Sequence, residues 1–439
     1  MTSPIVTSAA AWRRSRFVTF ELAAALALVV LAVFSGRGQL VALATPLILH
    51  GLWALAARPT LPVGLRTAPM VSPDREDRLH LEAVAAAGSA PEGTLVRLKV
   101  HFPGVPGRDL LIATPAGRPA HFSVISVRTG TRQLFSFRGM GLTATLGWSS
   151  TEFATAPQEI LVLPRFEPLP RAASTETVRG LTGPRRSRFQ GQGSEFRDIA
   201  QMAPGDRIRQ IDWRGTARNS PDLEQLYVRR NFAQAEATAM LLVDSRDDVG
   251  PELASWSAAH EPRPDRLTSL DIARSAAASL AKTALDAGDR VGMEDLGRPR
   301  SPVLPGTGPR HLTRIQYSLA LAHPLGAPSA RLRAPFVPAG SLVYVLSTFL
   351  DSTAATTIAS LVRQGHRVIA IDTLPEVSTW SLIERQYLAW NLVSLERRAH
   401  IRLAQNLGVP VIAWVAPDRN QQLAVLARPV RTLTSARKA

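Results

Sequence analysis

Two apolar runs near the start of the chain constrain its architecture more than any other feature. The run "FVTFELAAALALVVLAVFS" covers residues 17–35 and contains one charge, Glu21. At about 1.5 Å per residue it nearly matches a hydrocarbon core of roughly 30 Å. After the polar segment "GRGQ", a second run, "LVALATPLILHGLWALAA", ends at Ala57. The sequence therefore predicts a hairpin of two transmembrane helices over residues 17–57.

The charges beside these runs predict how the hairpin is oriented. Arg13, Arg14 and Arg16 precede the first run, and only Arg37 lies in the turn. Segments on the cytoplasmic side of a membrane are enriched in Lys and Arg. We therefore expect a multi-pass protein of the inner or plasma membrane with cytoplasmic soluble domains and a cytoplasmic N-terminus over residues 1–16. A cleaved signal peptide is the alternative for the first run, but it leaves the second run unexplained.

Composition removes several classes of function. The chain has no cysteine, which excludes disulfides, thiolate zinc sites and cysteine nucleophiles. It contains no Walker loop, no GxGxxG and no GxSxG, so no cofactor is predicted. Lys and Arg exceed Asp and Glu by 51 to 35. Attraction to anionic lipid headgroups explains this excess more simply than nucleic-acid binding, because acids are interspersed and aromatics are sparse.

The middle of the chain changes character twice. Residues 58–78 are rich in Pro and charge, which is typical of a linker. Residues 79–165 contain short alternating or β-branched runs such as "GTLVRLKVHF" and "HFSVISVRT", separated by Gly, Pro or charged turns. Such spacing predicts a small all-β sandwich.

From residue 237 onward, strand-like and helix-like segments alternate. "ATAMLLVD" (237–244) is an unbroken apolar run that ends in a carboxylate, as expected for a central parallel strand. The helices that follow are expected near residues 267–286, 309–321, 353–364 and 378–406. The alternation predicts a C-terminal doubly wound α/β domain over residues 237–430 and hence a multidomain chain.

Between sandwich and α/β domain, residues 166–236 contain the stretch "GSEFRDIAQMAPGDRIRQIDWRGTAR". This stretch closely resembles the domain of unknown function 58 family, although "DIAQM" departs from the family's more usual Arg-Glu-Tyr-like sequence. The resemblance implies a membrane-anchored protein encoded beside a MoxR-type AAA ATPase. The residues that carry it are Gly193, Glu195, Phe196, Arg197, Pro204, Gly205, Asp206, Arg209, Ile211, Asp212, Trp213, Ala217 and Arg218.

Two readings of this motif stay open. In the first it is an ion-paired belt between the domains, with Trp213 packed across the edge of the sheet. The candidate ion pairs of that belt join the acids Glu195, Asp206 and Asp212 to the arginines Arg197, Arg209 and Arg218. In the second reading its arginines and Trp213 form a docking surface, because Arg and Trp are enriched at the energetic centres of interfaces.

The α/β pattern also resembles a von Willebrand factor A-like domain, in which an Asp-x-Ser-x-Ser loop, a Thr and an Asp hold a divalent metal. Asp244 fits the first ligand, but Arg246 stands at the first serine and Asp248 at the second. Thr307 could be the threonine, and Thr348 stands where the second aspartate belongs. Because Arg246 brings a fixed positive charge, we predict that no metal is needed here.

Three classes of function follow. The leading expectation is a non-enzymatic adaptor or scaffold that is anchored in the lipid bilayer and works with a MoxR-type AAA ATPase. The ATPase partner is implied by the family resemblance. The alternatives are a nucleic-acid-binding protein and a hydrolase that uses Asp244, Asp247 and Asp248. Retention of DNA that falls steeply as the salt concentration rises would favour nucleic-acid binding.

Overall fold

The structure is a computed structural model of the chain. It divides into two compact units, Met1–Ile160 with Ala259–Arg266 and Leu161–Ala258 with Leu267–Ala439. The residues that the structure describes are 6–60, 62–73, 79–87, 93–113, 120–156, 158–170, 185–204, 206–220, 222, 224–235, 237–256, 261–297, 302–325, 334–380 and 382–426.

The two apolar runs form the helices α1 (Arg16–Ser35) and α2 (Gln39–Ala56). Helix α1 begins where the Ser15 hydroxyl accepts a hydrogen bond from the amide of Phe17, and it ends at Gly36, whose φ of 65° is left-handed. The mean hydropathy of the two helices is 2.5 and 1.6, so both are long and apolar enough to cross a membrane. The predicted hairpin is therefore present as a pair of candidate spans.

The polar interruptions of the two helices face each other. His50 Nδ1 lies 2.8 Å from Glu21 Oε1, so each polar group has its partner on the other helix. Beside them, a Cβ on Gly51 would lie 2.6 Å from Leu22 Cδ2. Glycine at position 51 thus allows the helices to approach closely next to the polar pair.

The first unit also contains the antiparallel sheets. Its strands in chain order are β1 (Val6–Ala10), β2 (Trp12–Arg14), β3 (Val63–Pro73), β4 (Leu79–Ala87), β5 (Leu95–Phe102), β6 (Val105–Ala113), β7 (Ala120–Ser126), β8 (Gly130–Gln133), β9 (Ser136–Leu142), β10 (Trp148–Ser150), β11 (Phe153–Ala154) and β12 (Glu159–Val162). One sheet has the order β1-β3-β4-β7 and the other β2-β10-β9-β5-β6, with β11 paired to β9 and a separate β12-β8 pair.

Side chains from both sheets share one core. Alternate residues of β5, from Val96 to Phe102, are buried, as expected for a strand with one face inward. They pack with Leu65 and Leu81 of the first sheet and with Phe137 of their own. Two sheets over a common apolar core make the β-sandwich that the alternating runs predict.

The sandwich begins earlier than the sequence indicates. Strand β1 precedes the hairpin and pairs with β3, which follows it, in the register Val6↔Thr67 to Ala10↔Val63. We predicted a cytoplasmic N-terminus over residues 1–16 and a linker over residues 58–78 in these places, without strands. The prolines are tolerated because Pro69 and Pro73 lie beyond the part of β3 that β1 covers, so there they face only β4.

The second unit begins with a two-stranded ribbon and continues as an α/β sheet. Its strands are β13 (Arg185–Gln201), β14 (Tyr227–Ala235), β15 (Thr238–Val243), β16 (Arg290–Asp295), β17 (Val303–Gly306), β18 (Leu342–Ser347), β19 (Arg367–Asp372) and β20 (Val411–Ala413). Its helices are α3 (Trp213–Asn219), α4 (Ser269–Asp286), α5 (Pro309–Leu321), α6 (Thr353–Arg363), α7 (Glu384–Asn406) and α8 (Arg419–Leu426).

The main sheet has the order β17-β16-β15-β18-β19-β20. Five strands are parallel, and the edge strand β17 runs antiparallel to β16. Strand order reverses between β15 and β18, which is the position where doubly wound sheets open a crevice at their carboxyl ends. The alternation of strands and helices predicted from the sequence is thus present in a mixed sheet.

Helices cover both faces of this sheet. On one face Leu280 of α4, Ile315 of α5 and Leu423 of α8 pack with Leu241 of β15. On the other face Ile358 of α6 and Ala404 of α7 pack in a second cluster with the strands. Because neither face is open, the carboxyl edge of the sheet is left for polar chemistry.

Candidate functional site

The family motif folds as the end of the ribbon and the turns that join its strands. After β13, a turn leads to a 3-10 helix, Ile208–Gln210, and then to α3. The chain returns in β14, with Ile211 bridged to Val228. Gly205 lies outside the described residues; Gly193 is described only as part of the backbone of β13, and the side chains of Glu195 and Arg197 on the same strand are not described.

Asp206 anchors the turn through hydrogen bonds to the backbone and to Arg230. Its Oδ2 accepts a hydrogen bond from the amide of Ala203 at 2.9 Å and one from Arg230 Nη2 at 3.0 Å. Arg230, on β14, also donates to the carbonyl of Gln201. The candidate partners from the sequence were Arg197, Arg209 and Arg218; Arg230 was not among them, because only the return of the ribbon brings β14 against the turn.

Asp212 is a helix cap. Its Oδ1 accepts a hydrogen bond from the amide of Gly215 at 2.9 Å, at the start of α3. Thr216, next along the helix, is fully buried, and its hydroxyl accepts from the amide of Tyr227. The carboxylate predicted to form an ion pair therefore fixes α3 on the ribbon.

These anchors leave one face of the motif open to solvent. Trp213 is 63% exposed and Ile208 is 75% exposed, and Arg209, Ala217 and Arg218 of the same segment are also exposed. We call Ile208, Arg209, Trp213 and Arg218 the motif surface. Trp213 was expected to pack across the sheet edge, but the small residues Gly215 and Thr216 form the buried side of α3 and turn position 213 outward.

Phe196 continues the exposed apolar character on the ribbon. It is 46% exposed, and the guanidinium of Arg229 lies 5.1 Å from its ring centroid. This is cation–π geometry. Pro204, at the turn, is exposed as well.

At the carboxyl edge of the main sheet, Arg246 holds two aspartates. Its Nε and Nη2 donate to the two oxygens of Asp244 at 2.8 and 2.7 Å, a bidentate pair. Nη2 also donates to Asp351 Oδ1 at 3.0 Å. The Asp244 side chain is 2% exposed and that of Asp351 is 48% exposed. The fixed charge of Arg246 noted in the sequence thus lies directly on Asp244, whereas the contact with Asp351 was not foreseen.

The neighbouring loop supplies hydroxyl groups to the same cluster. Ser347 donates to Asp244 Oδ2 at 2.8 Å, and Thr348 donates to Asp247 Oδ2 at 2.9 Å. Thr348, which the sequence places at a metal-ligand position, therefore donates a hydrogen bond to a carboxylate. Asp248, the other ligand candidate, is half-buried on the same loop as Asp247.

The charges of this cluster shift one another. Burial opposes the charge of Arg246, but the hydrogen bonds and charges of Asp244 and Asp351 outweigh burial and raise the pKa of Arg246. Burial raises the pKa of Asp247 against the Thr348 hydrogen bond, and the charge of Asp244 adds to the rise. Burial would raise the pKa of Asp351, yet Arg246 lowers it below its usual value. The guanidinium is thus the permanent cation of this edge.

Thr307 lies at the other end of the sheet. Gly306, the residue before it, pairs with Val291 near the start of β16, whereas Asp244 follows Val243, which pairs with Asp295 at the end of β16. The structure does not bring Thr307 to Asp244 because β17 runs antiparallel. Among the described residues, no group of three His, Asp or Glu side chains is arranged to hold a metal.

A cavity of about 580 Å³ lies farther along the same edge, at the ends of β19 and β20. Its walls include Trp390, Val415 and the ion pair of Asp372 with Arg397. Arg397 also donates from Nε to the carbonyl of Thr348 at 2.8 Å. Sequence reasoning missed this pair, although Asp372 ends an apolar strand just as Asp244 does.

Fold and site together define a class: a candidate membrane hairpin and sandwich followed by a doubly wound α/β domain with an exposed Arg-Trp motif. Residues 198–378 match the family described as protein of unknown function DUF58, and this part of the chain belongs to that family. The match contains most of the motif and the Arg246 cluster but stops before α7. No curated protein and no solved structure matches the chain.

Proposed function

We propose that the protein is a membrane-anchored, non-enzymatic adaptor or scaffold that works with a MoxR-type AAA ATPase in assembling or remodelling protein complexes. The observation that carries the proposal is the motif surface. Trp213 and Ile208 are large apolar side chains in solvent, and Arg209 and Arg218 of the same short segment are exposed too. Such residues dominate the energetics of protein interfaces.

The surface is held in place before any partner arrives. Asp206 fixes the turn through Arg230, and Asp212 caps α3. A side chain presented on a fixed backbone loses less conformational entropy on binding. Because both aspartates are used internally, arginine determines the charge of the exposed face, and it suits a partner with an acidic rim around an apolar pocket.

The hairpin supports membrane anchoring with both flanks on one side. A chain that crosses a bilayer twice returns to its starting side, and the pairing of β1 with β3 requires that return. The arginines Arg13, Arg14 and Arg16 favour the cytoplasm as that side. A reporter fused after Ala439 should therefore be active in the cytoplasm, and activity confined to the periplasm would contradict this topology.

We further infer that the α/β domain is von Willebrand factor A-like and that its strand-end edge acts without a metal. In place of a bound cation the chain supplies the Arg246 guanidinium, which already contacts Asp244 and Asp351. The carboxylates considered for hydrolysis are engaged in the same network, since Thr348 donates to Asp247. This engagement favours a binding role over catalysis.

The test measures binding between the full chain in detergent micelles and the MoxR-type ATPase encoded beside it. Trp213→Ala should weaken binding by about 30-fold or more, equivalent to about 2 kcal/mol. Arg209→Glu should weaken it too and reduce the loss of affinity with rising salt, because it removes an attraction to the acidic rim. Trp380→Ala is the matched control, because Trp380 is 89% exposed and lies outside the motif surface.

Equal affinity of wild type, Trp213→Ala and Arg209→Glu would contradict docking through this surface. Absence of any complex at micromolar concentrations would contradict the partnership itself. Retention of duplex DNA that falls steeply with salt would instead favour the nucleic-acid alternative.

A further inference from the structure

We propose that the outward face of α7 is a dimer interface, on which a second copy of this chain packs its own α7 in antiparallel orientation. Helix α7 follows the segment that matches the family. The proposal therefore goes beyond the motif surface and does not depend on it.

Within the described residues, helix α7 contacts its own domain along one side. Trp390 packs edge-on against Trp256 with ring centroids 5.6 Å apart. Arg397 bonds Asp372, and Ala404 is fully buried. At about 100° per residue these three positions point in nearly the same direction, toward the sheet.

The opposite side carries a row of exposed apolar residues. Leu388, Leu392 and Leu395 are 61%, 60% and 57% exposed, and Ala399 follows in solvent. We call these four residues the α7 seam. Their spacing of four, three and four residues is that of a coiled-coil contact line. The other side of α7 is already packed against its own domain. The regular spacing of the α7 seam therefore makes the exposed side suitable for packing against a second helix.

The width of the seam favours a helix over a lipid surface. A helix that lies in a bilayer interface needs a broad apolar face with basic residues beside it. Here charges of both signs border the leucines closely, with Glu384 and Arg385 at one end and Glu396 and Arg402 toward the other. A bilayer would have to accommodate those glutamates, whereas a helix partner can pair them.

Charge identifies the partner as a second copy in antiparallel orientation. With Leu392 of one copy against Leu395 of the other, the end of α7 that carries Glu384 meets the end that carries Arg402. Both residues lie on the same flank of the seam, about 40° from Leu388 on a helical projection. A two-fold axis therefore creates two Glu384–Arg402 pairs, one at each end, while a parallel pairing would keep every Glu384 and Arg402 at opposite ends of the helices.

Dimerisation is tested first by mass. The full chain in mild detergent should elute with the protein mass of two 47.4 kDa chains by light scattering. Leu392→Glu with Leu395→Glu should give one chain and keep the wild-type melting temperature, because both side chains are exposed. Val425→Glu, an equally exposed apolar position on α8, is the matched control and should stay dimeric.

Orientation is tested by exchanging the charges. Glu384→Arg alone and Arg402→Glu alone should each raise the Kd of the dimer by about tenfold, equivalent to about 1.4 kcal/mol. The double variant should restore the wild-type Kd, since it exchanges the members of both pairs. Two single effects that simply add would overturn the antiparallel arrangement.

The absence of natural cysteine makes cross-linking specific. A mixture of Leu388→Cys chains and Ala399→Cys chains should cross-link through a short bismaleimide, because these positions face each other. Leu403→Cys alone should not, since its two copies would lie about 28 Å apart along the helix axis. Efficient Leu403→Cys self-linkage, a monomeric wild type, or a dimer that survives the Leu392/Leu395 double substitution would each overturn the proposal.

Discussion

Replacing Arg246 by methionine should reveal how much the strand-end cluster depends on one guanidinium. Methionine keeps a flexible apolar stem but leaves Asp244 without its bidentate partner. The Asp244 side chain is 2% exposed, so its charge would stay nearly desolvated. Removing one member of a buried pair costs about 3–5 kcal/mol. The bond to Asp351 adds little to this figure, because that carboxylate is 48% exposed.

The assay is calorimetric melting of the full chain in detergent, followed through the transition of the α/β unit. A loss of about 3–5 kcal/mol corresponds to a Tm decrease of roughly 10 °C for a domain of this size. Asp351→Asn is the matched control and should cost less than about 1 kcal/mol. The double variant Asp244→Asn/Arg246→Met should have a higher Tm than Arg246→Met alone, because the asparagine removes the unpaired buried negative charge. An Arg246→Met transition within about 2 °C of wild type would refute the reasoning.

Four further predictions concern carboxylates of the second unit. Because burial holds the pKa of Asp247 above its usual value, that residue favours folding most below its unfolded pKa, and this advantage is lost as the pH rises through the folded pKa. Asp247→Asn should therefore raise the Tm near neutral pH and change it little at about pH 3; an equal gain at both would contradict the assignment. Asp212→Ala should destabilise the second unit by about 1 kcal/mol through loss of the α3 cap. Asp206→Ala should destabilise it by about 1–3 kcal/mol through loss of the Arg230 bond. Unchanged denaturant midpoints for both variants would count against these roles. Magnesium or manganese titrated into the wild type should give no saturable heat, whereas a tight site abolished by Asp244→Ala would show that a metal competes successfully with Arg246.

Local signals were enough to predict the regular elements of the α/β unit. The expected helix over residues 309–321 is observed as Pro309–Leu321, because Gly308 and Pro309 mark its start and an apolar periodicity marks its length. The strand ending at Asp244 was evident from its unbroken apolar run. The sequence signals for these elements lie within the elements themselves or within a few residues of their ends.

What could not be predicted depends on residues far apart in sequence. Asp206 forms an ion pair with Arg230, because the ribbon returns at that register. Asp351 reaches Arg246 from the loop before α6, and no motif links those positions. Thr307 was assigned to the wrong end of the sheet, since the sequence does not reveal that β17 runs antiparallel. Individual acids were thus recognised, but their partners were set by topology.

The pairing of β1 with β3 also has a consequence for biosynthesis. Strand β1 leaves the ribosome first, yet its partner follows only after both apolar helices have been made. In a bilayer, a chain that inserted only one of the two helices would leave β1 and β3 separated by a hydrocarbon layer roughly 30 Å thick. The first sheet could not close, and its apolar side chains would stay exposed to proteases. Completion of the sandwich would therefore report correct insertion, so that misinserted copies are eliminated by the folding defect they create.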